Sequence, residues 1–180
     1  MINKNYPIEG YLDKTEREEN PFGLKYLGHE DEINLKDLIH NKLSFISIGD
    51  NKTRLLISSK ISKNNSVFLN IVHPSALVSE GVVLGSGNFI AKNSSINFNS
   101  TIGNQTIINT SSIIEHDCII EDGVHIGPGA VICGGVIVKK GAFIGANSTI
   151  KENLIVGENS IIGAGSVVLK NIPNHTISYG

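Results

Sequence analysis

The sequence predicts a mainly β chain: a parallel solenoid of very short strands, preceded by a small α/β segment. Three observations carry this. Every sixth residue from Val72 to Val168 is aliphatic, seventeen in succession, in a chain whose hydrophobic content is only 40%. A six-residue period fits neither a 3.6-residue helix nor a simply alternating strand. Four residues after each of these aliphatics, from Ser94 to Ser148, stands a small or β-branched residue, Thr106, Cys118, Val124 and Ala130 among them. Finally, the composition shifts near "NIVHPSALVSE". Residues 1–71 carry most of the charge, whereas Gly, Asn, Ser, Ile and Val dominate from Val72 onward.

The first segment, 1–71, reads as mixed α/β. "EGYLDK" looks like a strand ending in a polar pair. "LSFISIGDNKTRLLISSKISK" reads as a buried strand, a turn at "GDN", and an amphipathic helix with Leu55, Leu56 and Ile61 facing inward. From residue 72 to residue 180 each hexad is one short strand and a turn, too small to bury its own apolar side chain. Stacking buries it, with parallel ladders about 4.8 Å apart. A large and a small inward side chain alternate around each strand and its corner. Glycines such as Gly127, Gly145, Gly157 and Gly163 directly follow the inward aliphatic, where the backbone crowds.

Charge and cysteine content exclude several functions. Lys and Arg total 15 against 17 Asp and Glu, so no basic footprint for nucleic acid or an anionic membrane is expected. No long apolar run and no signal-peptide pattern stands in "MINKNYPIEG", so no membrane partner and a cytoplasmic location are expected. The only cysteines, Cys118 and Cys133, have no metal-ligand spacing, and a reducing compartment fits them. No metal is expected.

The chemistry concentrates in "SSIIEHDCIIEDGVHIGPGA", residues 111 to 130. His116 is the third residue of its hexad and His125 the sixth, so neither is an inward position. Cys118 occupies an inward small position and reads as core. An imidazole, with an ordinary pKa near 6.5, suits proton transfer at neutral pH.

"IGANST", "VGENSI" and "IGAGSV", at 144, 156 and 162, resemble the signature of the hexapeptide-repeat acyltransferases. That resemblance implies a left-handed parallel β-helix with 18-residue coils, assembled as a homotrimer with active sites between neighbours. In such coils Phe98 lies below His116 and Gly134 above it, and the missing side chain at Gly134 leaves room for a ligand. "NTSSIIEHDCIIEDGVHIGPGA" is similar to the active-site stretch of the branch holding sialic-acid O-acetyltransferases and bacillosamine-type sugar N-acetyltransferases, and "NIVHPSALVSE" to that branch's entry into the β-helix.

Carried over residue by residue, the resemblance makes His116 the general base and Asp117 the carboxylate that supports it. It puts His125 at the acetyl-CoA thioester and adds backbone contacts to coenzyme A at Ala146 and Ala164. His125 or the backbone N–H of Gly134 would stabilise the oxyanion, each such donor contributing roughly 3 kcal/mol. On a regular strand Asp117 would point away from His116, so the pair requires the chain to turn there.

Residues 1–71 resemble that branch's Rossmann-like nucleotide-sugar domain in part, with Asp13, Lys14 and Gly49 matching acceptor contacts. A Gly-rich turn of the G-x-x-G-H-G type should precede residue 1, and its absence predicts weakened nucleotide-sugar binding while coenzyme A binding survives. The chain also stops short of the branch's G-x-P-A-[KR] tail.

The expectation is therefore an acetyl-CoA-dependent acetyltransferase acting on the amino group of a nucleotide-linked amino sugar in surface-glycan synthesis. The alternatives are O-acetylation of a sialic-acid-like sugar and a non-catalytic β-helix subunit.

Overall fold

The computed structural model describes residues 7–64 and 66–179. From Ile71 to Ser178 two-residue strands recur along the chain and build three parallel sheets that close into a prism. Face I has six strands, from Leu77–Val78 to Val167–Val168; face II has five, from Val83–Leu84 to Ile155–Val156; face III has seven, from Ile71–Val72 to Ile177–Ser178. Ile113 pairs with Val131, and His125 with Phe143, so three hexads complete one coil.

The repeat forms this shape because each hexad supplies one large and one small inward side chain. Every large inward residue from Ile90 to Ile162 is at most 1% exposed. The small inward positions from Ser94 to Ser148 are equally buried. Their hydroxyls are satisfied by the turns, as in Ser94 Oγ donating to the Ala91 carbonyl at 2.7 Å and Ser112 Oγ to that of Asn109 at 2.7 Å. The inward pattern fails only at its start, where Val72 and Val78 are 43% and 38% exposed. They belong to the first coil, which has no coil beneath it.

Corners obey the same period. Every sixth residue from Gly81 to Gly165 has a positive φ, and each stands three after an inward aliphatic. Glycine or Asn fills most of these corners, because the left-handed region penalises a Cβ and Asn tolerates it best. Gln105, Ser111 and Asp117 are exceptions, with φ of 55°, 56° and 60°.

The preceding segment is less regular. Helix α1 (Leu35–Ile39), strand β1 (Leu43–Ser44), helix α2 (Asn51–Ser62) and strand β2 (Val67–Phe68) follow in order, with β1 and β2 parallel. Ile39, Ile46 and Ile61 form a small core with Leu38, Ile57 and Phe68 around it. The strand expected at "EGYLDK" shrinks to a single parallel bridge between Tyr11 and Tyr26. Asp50 caps α2, accepting from Thr53 N–H at 2.8 Å.

The inward face expected for α2 needs correction. Ile61 is buried and Leu55 packs over Gly123, but Leu56 is 56% exposed. Arg54 is the buried residue instead, at 1% exposure. The surface that α2 covers is a corner of the prism rich in backbone carbonyls, which a donor satisfies and a leucine does not.

Candidate functional site

His116 and Asp117 stand at the corner between faces I and II. The positive φ of Asp117 turns the chain between them, so two adjacent side chains come to the same side. His116 Nδ1 donates to Asp117 Oδ2 at 2.8 Å. The other carboxylate oxygen accepts from Asn99 Nδ2 at 2.6 Å. These two hydrogen bonds, that of Asn99 first, hold the Asp117 carboxyl below its ordinary pKa. The carboxylate therefore fixes the ring proton on Nδ1 and leaves the Nε2 lone pair of an exposed imidazole open to a substrate. Asn99 was not singled out from sequence, although it lies one coil below Asp117, a step of 18 residues.

Gly134 lies over His116 as expected, but the space above the ring is not left for a ligand. A Cβ at Gly134 would meet His116 Cε1 at 2.7 Å and Nε2 at 2.8 Å. The glycine seats the imidazole itself. Among the described residues the Gly134 N–H has no acceptor.

His125 is on face III. It is half-buried rather than on the open surface, with Phe143 from the next coil set edge-on at 4.9 Å between ring centroids. Asn109 Nδ2 donates to His125 Nε2 at 3.2 Å, which puts the ring proton on Nδ1. That Nδ1 is buried and has no well-aligned hydrogen bond among the described residues, only a weak one to the Gly49 backbone. Burial lowers the His125 pKa, a hydrogen bond with the Gly49 backbone opposes it, and the charge of Arg54 adds a smaller lowering. Asn109, Phe143 and Arg54 were not anticipated; Phe143 is the one of these that an 18-residue step would have found.

The remaining candidates divide. Gly49 is next to His125, so this part of the first segment and the β-helix meet. Ala146 and Ala164 are at the corner between faces III and I in successive coils, with Gly165 N donating to the Ala146 carbonyl at 2.8 Å. Asp13 is engaged locally: its carboxylate accepts from Arg17 Nε at 2.6 Å and from its neighbour's N–H, that of Lys14, at 2.7 Å. The Arg17 bond, then the Lys14 N–H, lowers its pKa. Among the described residues no hydrogen bond joins Asp13 or Lys14 to Gly49 or to either histidine. Cys118 is core, with burial pushing its thiol up to about 11. His116 and His125 are half a coil apart along the chain and so occupy different sides of the prism.

The bacterial transferase hexapeptide family (six repeats) matches residues 99–134 and 135–170. A curated relative, UDP-N-acetylbacillosamine N-acetyltransferase of Bacillus subtilis (strain 168), is 36% identical over 56 residues, which is 31% of this chain and 26% of that protein. A structure of perosamine N-acetyltransferase from Caulobacter crescentus in complex with CoA and GDP-perosamine has a TM-score of 0.82 and 32% identity, over 88% of this chain and 75% of that one. The acetyltransferase domain of PglB from Neisseria gonorrhoeae FA1090, in complex with acetyl coenzyme A, shares the fold at a TM-score of 0.84 and 23% identity, over 94% and 82%. The prism is thus the left-handed β-helix of these acetyltransferases.

Proposed function

Because the chain belongs to the hexapeptide-repeat acetyltransferases, in the branch that holds sugar N-acetyltransferases, we propose that it transfers the acetyl group of acetyl-CoA to the amino group of a nucleotide-linked amino sugar. The observation that carries this reading is the hydrogen-bonded line Asn99–Asp117–His116, with its free Nε2, on a fold whose relative at 32% identity holds CoA and a GDP-linked sugar.

In this reading the acceptor amine attacks the thioester carbonyl and His116 Nε2 removes the amine proton. The C–S bond then breaks, the amide forms, and the proton leaves with coenzyme A as its thiol. Asp117 stabilises the imidazolium that forms in between, and Asn99 orients Asp117. The negative oxygen of the intermediate accepts from the Gly134 N–H or from His125. Coenzyme A runs along Ala146 and Ala164, and the sugar nucleotide rests on residues 1–71 through Asp13, Lys14 and Gly49.

Placing His116 and His125 on different sides of one prism leaves each with half a site, so a homotrimer in which a neighbour completes the site follows from the same reading. Outward aliphatics along face II, Val83 at 60% and Ile119 at 42% exposed, suit such an interface. Two free thiols and a coenzyme A substrate fit a cytoplasmic location.

The test is thiol release from acetyl-CoA with a panel of amino sugars and nucleotide-linked amino sugars. His116→Ala should lower turnover by roughly 10²- to 10⁴-fold with acetyl-CoA affinity little changed. Full activity in that variant, or no release by the wild-type protein with any acceptor, would sink the reading. Light scattering should give about three times the 19.3 kDa chain mass.

A further inference from the structure

Phe98 takes no part in the core, yet it stands at the corner that carries His116. Ile96 and Ser100 are the inward residues on either side of it and are fully buried, whereas Phe98 is 64% exposed. A single exposed aromatic is ordinary on a protein surface. This one is joined to the His116–Asp117 pair through its own backbone. The Phe98 carbonyl accepts the Asp117 N–H at 3.1 Å, and the next residue, Asn99, donates to Asp117 Oδ1. Phe98 and Asn99 are the same two corner residues as His116 and Asp117, one coil earlier.

The two rings lean apart along the prism axis. The His116 imidazole lies against Gly134 in the following coil, where a Cβ would meet its Cε1 at 2.7 Å. The Phe98 ring lies against Gly81 in the preceding coil, where a Cβ would meet its Cε2 at 3.0 Å and its Cδ2 at 3.3 Å. Gly81 touches one edge of the ring, so most of the ring stays open to solvent. Apolar contacts form near 3.5–4.0 Å between carbons, so a guest ring between two walls needs roughly 7–8 Å. One coil step of about 4.8 Å does not provide that. Two glycines, one before and one after, draw the side chains in opposite directions and widen the step into a gap.

The gap has chemically unlike walls. On one side is the imidazole with its open Nε2, on the other a bare phenyl ring, and the Asn99–Asp117 hydrogen bond spans the same two coils beside them. A pyranose carries polar groups around its edge and C–H groups on its faces. The electron-rich face of an aromatic ring attracts such C–H groups, and the contact also removes apolar surface from water.

We infer that Phe98 is the acceptor platform: the C–H face of a pyranose packs on its ring, in the gap before His116, and this places the sugar's amine at Nε2. The inference deepens the acetyl-transfer reading and rests on it. In that reading coenzyme A runs along Ala146 and Ala164, in coils beyond His116, so the acceptor comes from the opposite direction along the axis, where Phe98 stands. Phe98 then positions the substrate and moves no proton.

The test uses the full chain with glucosamine, galactosamine and mannosamine, each free and UDP-linked. Phenylalanine is kept protonated in an otherwise deuterated protein, and its ring protons are saturated. Saturation should pass to the C–H protons of one sugar face. The chain has six phenylalanines, so the source is identified by loss of this transfer in Phe98→Ala. With the best acceptor of the panel, Phe98→Ala should raise the acceptor KM about fivefold to tenfold, the range of one aromatic contact. The KM for acetyl-CoA should not change, and kcat should change less than the acceptor KM. Phe98→Tyr should restore the wild-type KM, while Phe98→Leu, which keeps apolar bulk without a ring, should not.

Transfer that survives in Phe98→Ala overturns the inference, as does an absence of transfer to every sugar of the panel or a Phe98→Leu variant equal to wild type. So does a Phe98→Ala protein that loses its assembly in light scattering while its acceptor KM stays unchanged, since the ring would then be a subunit contact. The saturation signal needs no turnover. A wild-type protein that shows Phe98-dependent transfer to a sugar but releases no thiol counts against acetyl transfer and leaves the platform standing.

Discussion

The β-helix and the segment before it are stabilised in opposite ways. In the prism a residue's role follows from its place in the hexad: Ile126 is buried because Ile120 and Ile132 are, and because Ile108 and Ile144 lie below and above it. In residues 7–64 few contacts repeat. A cluster around Ile39, Ile46 and Ile61 supplies the apolar core, and one arginine reaches carbonyls at Gln105 and Gly123. Periodic burial is redundant, since each coil is supported by two neighbours. The single-copy contacts of the first segment have no substitute.

The largest effect is expected inside the repeat. Ile126→Asp puts an unpaired charge into a position with no exposure, and should destabilise the prism by about 3 kcal/mol or more. A melting temperature matching that of Lys140→Asp, at an exposed corner, would show that the register is wrong.

Ile61→Ala comes next, at about 2–3 kcal/mol for a buried large-to-small change. Its damage should be confined: hydrogen exchange should speed up in α1, α2 and β1 while amides of the central coils stay protected. Uniform loss of protection would break the contrast between the two regions.

A smaller effect depends on pH. The folded His125 pKa is depressed, chiefly by burial, so the unfolded chain takes up this proton first as pH falls below about 6.5. Stability is therefore complete above that pH and declines below it, until the folded ring is also charged. His125→Gln should flatten this decline relative to the wild-type protein in denaturant midpoints measured from pH 8 to 5. A steeper acid decline in the variant would contradict the sign.

The smallest effect belongs to Leu56→Gln. Leu56 is 56% exposed, so the change should fall within about 0.5 kcal/mol. A loss above 1 kcal/mol would mean that this leucine is covered in the assembled protein.

The same contrast explains what the sequence disclosed. Inward side chains were legible because a six-residue period is a property of composition at fixed spacing, which any reader can count. His116 and Gly134 were legible as neighbours once a coil length was assumed. The His116–Asp117 hydrogen bond was not, because a strand rule sends adjacent side chains to opposite faces. The information was nevertheless in the chain: Asp117 holds the place that Gly123, Gly129 and Gly135 hold in the following hexads. Arg54 gave no signal, since its partners are backbone carbonyls, which every residue has. Leu56 was misassigned because the buried stripe of α2 runs through Arg54, Ile57 and Ile61 at helical spacing, and Leu56 lies about 200° around the helix from Arg54, on the outer side.

The left-handed corner has a consequence for how such a scaffold changes over generations. Every corner of the prism has the same backbone shape, so each is an equivalent socket in which two consecutive side chains meet. A histidine and an acid transplanted one coil along, with a glycine in the coil above to seat the ring, would find the same left-handed turn, and the reacting centre would move by about 4.8 Å along the axis. Nothing in the core would have to be redesigned. The distance between chemistry and a bound sugar is therefore adjustable in fixed increments by three point substitutions, the histidine, the acid and the glycine over the ring, a ruler that a fold without translational repetition does not possess.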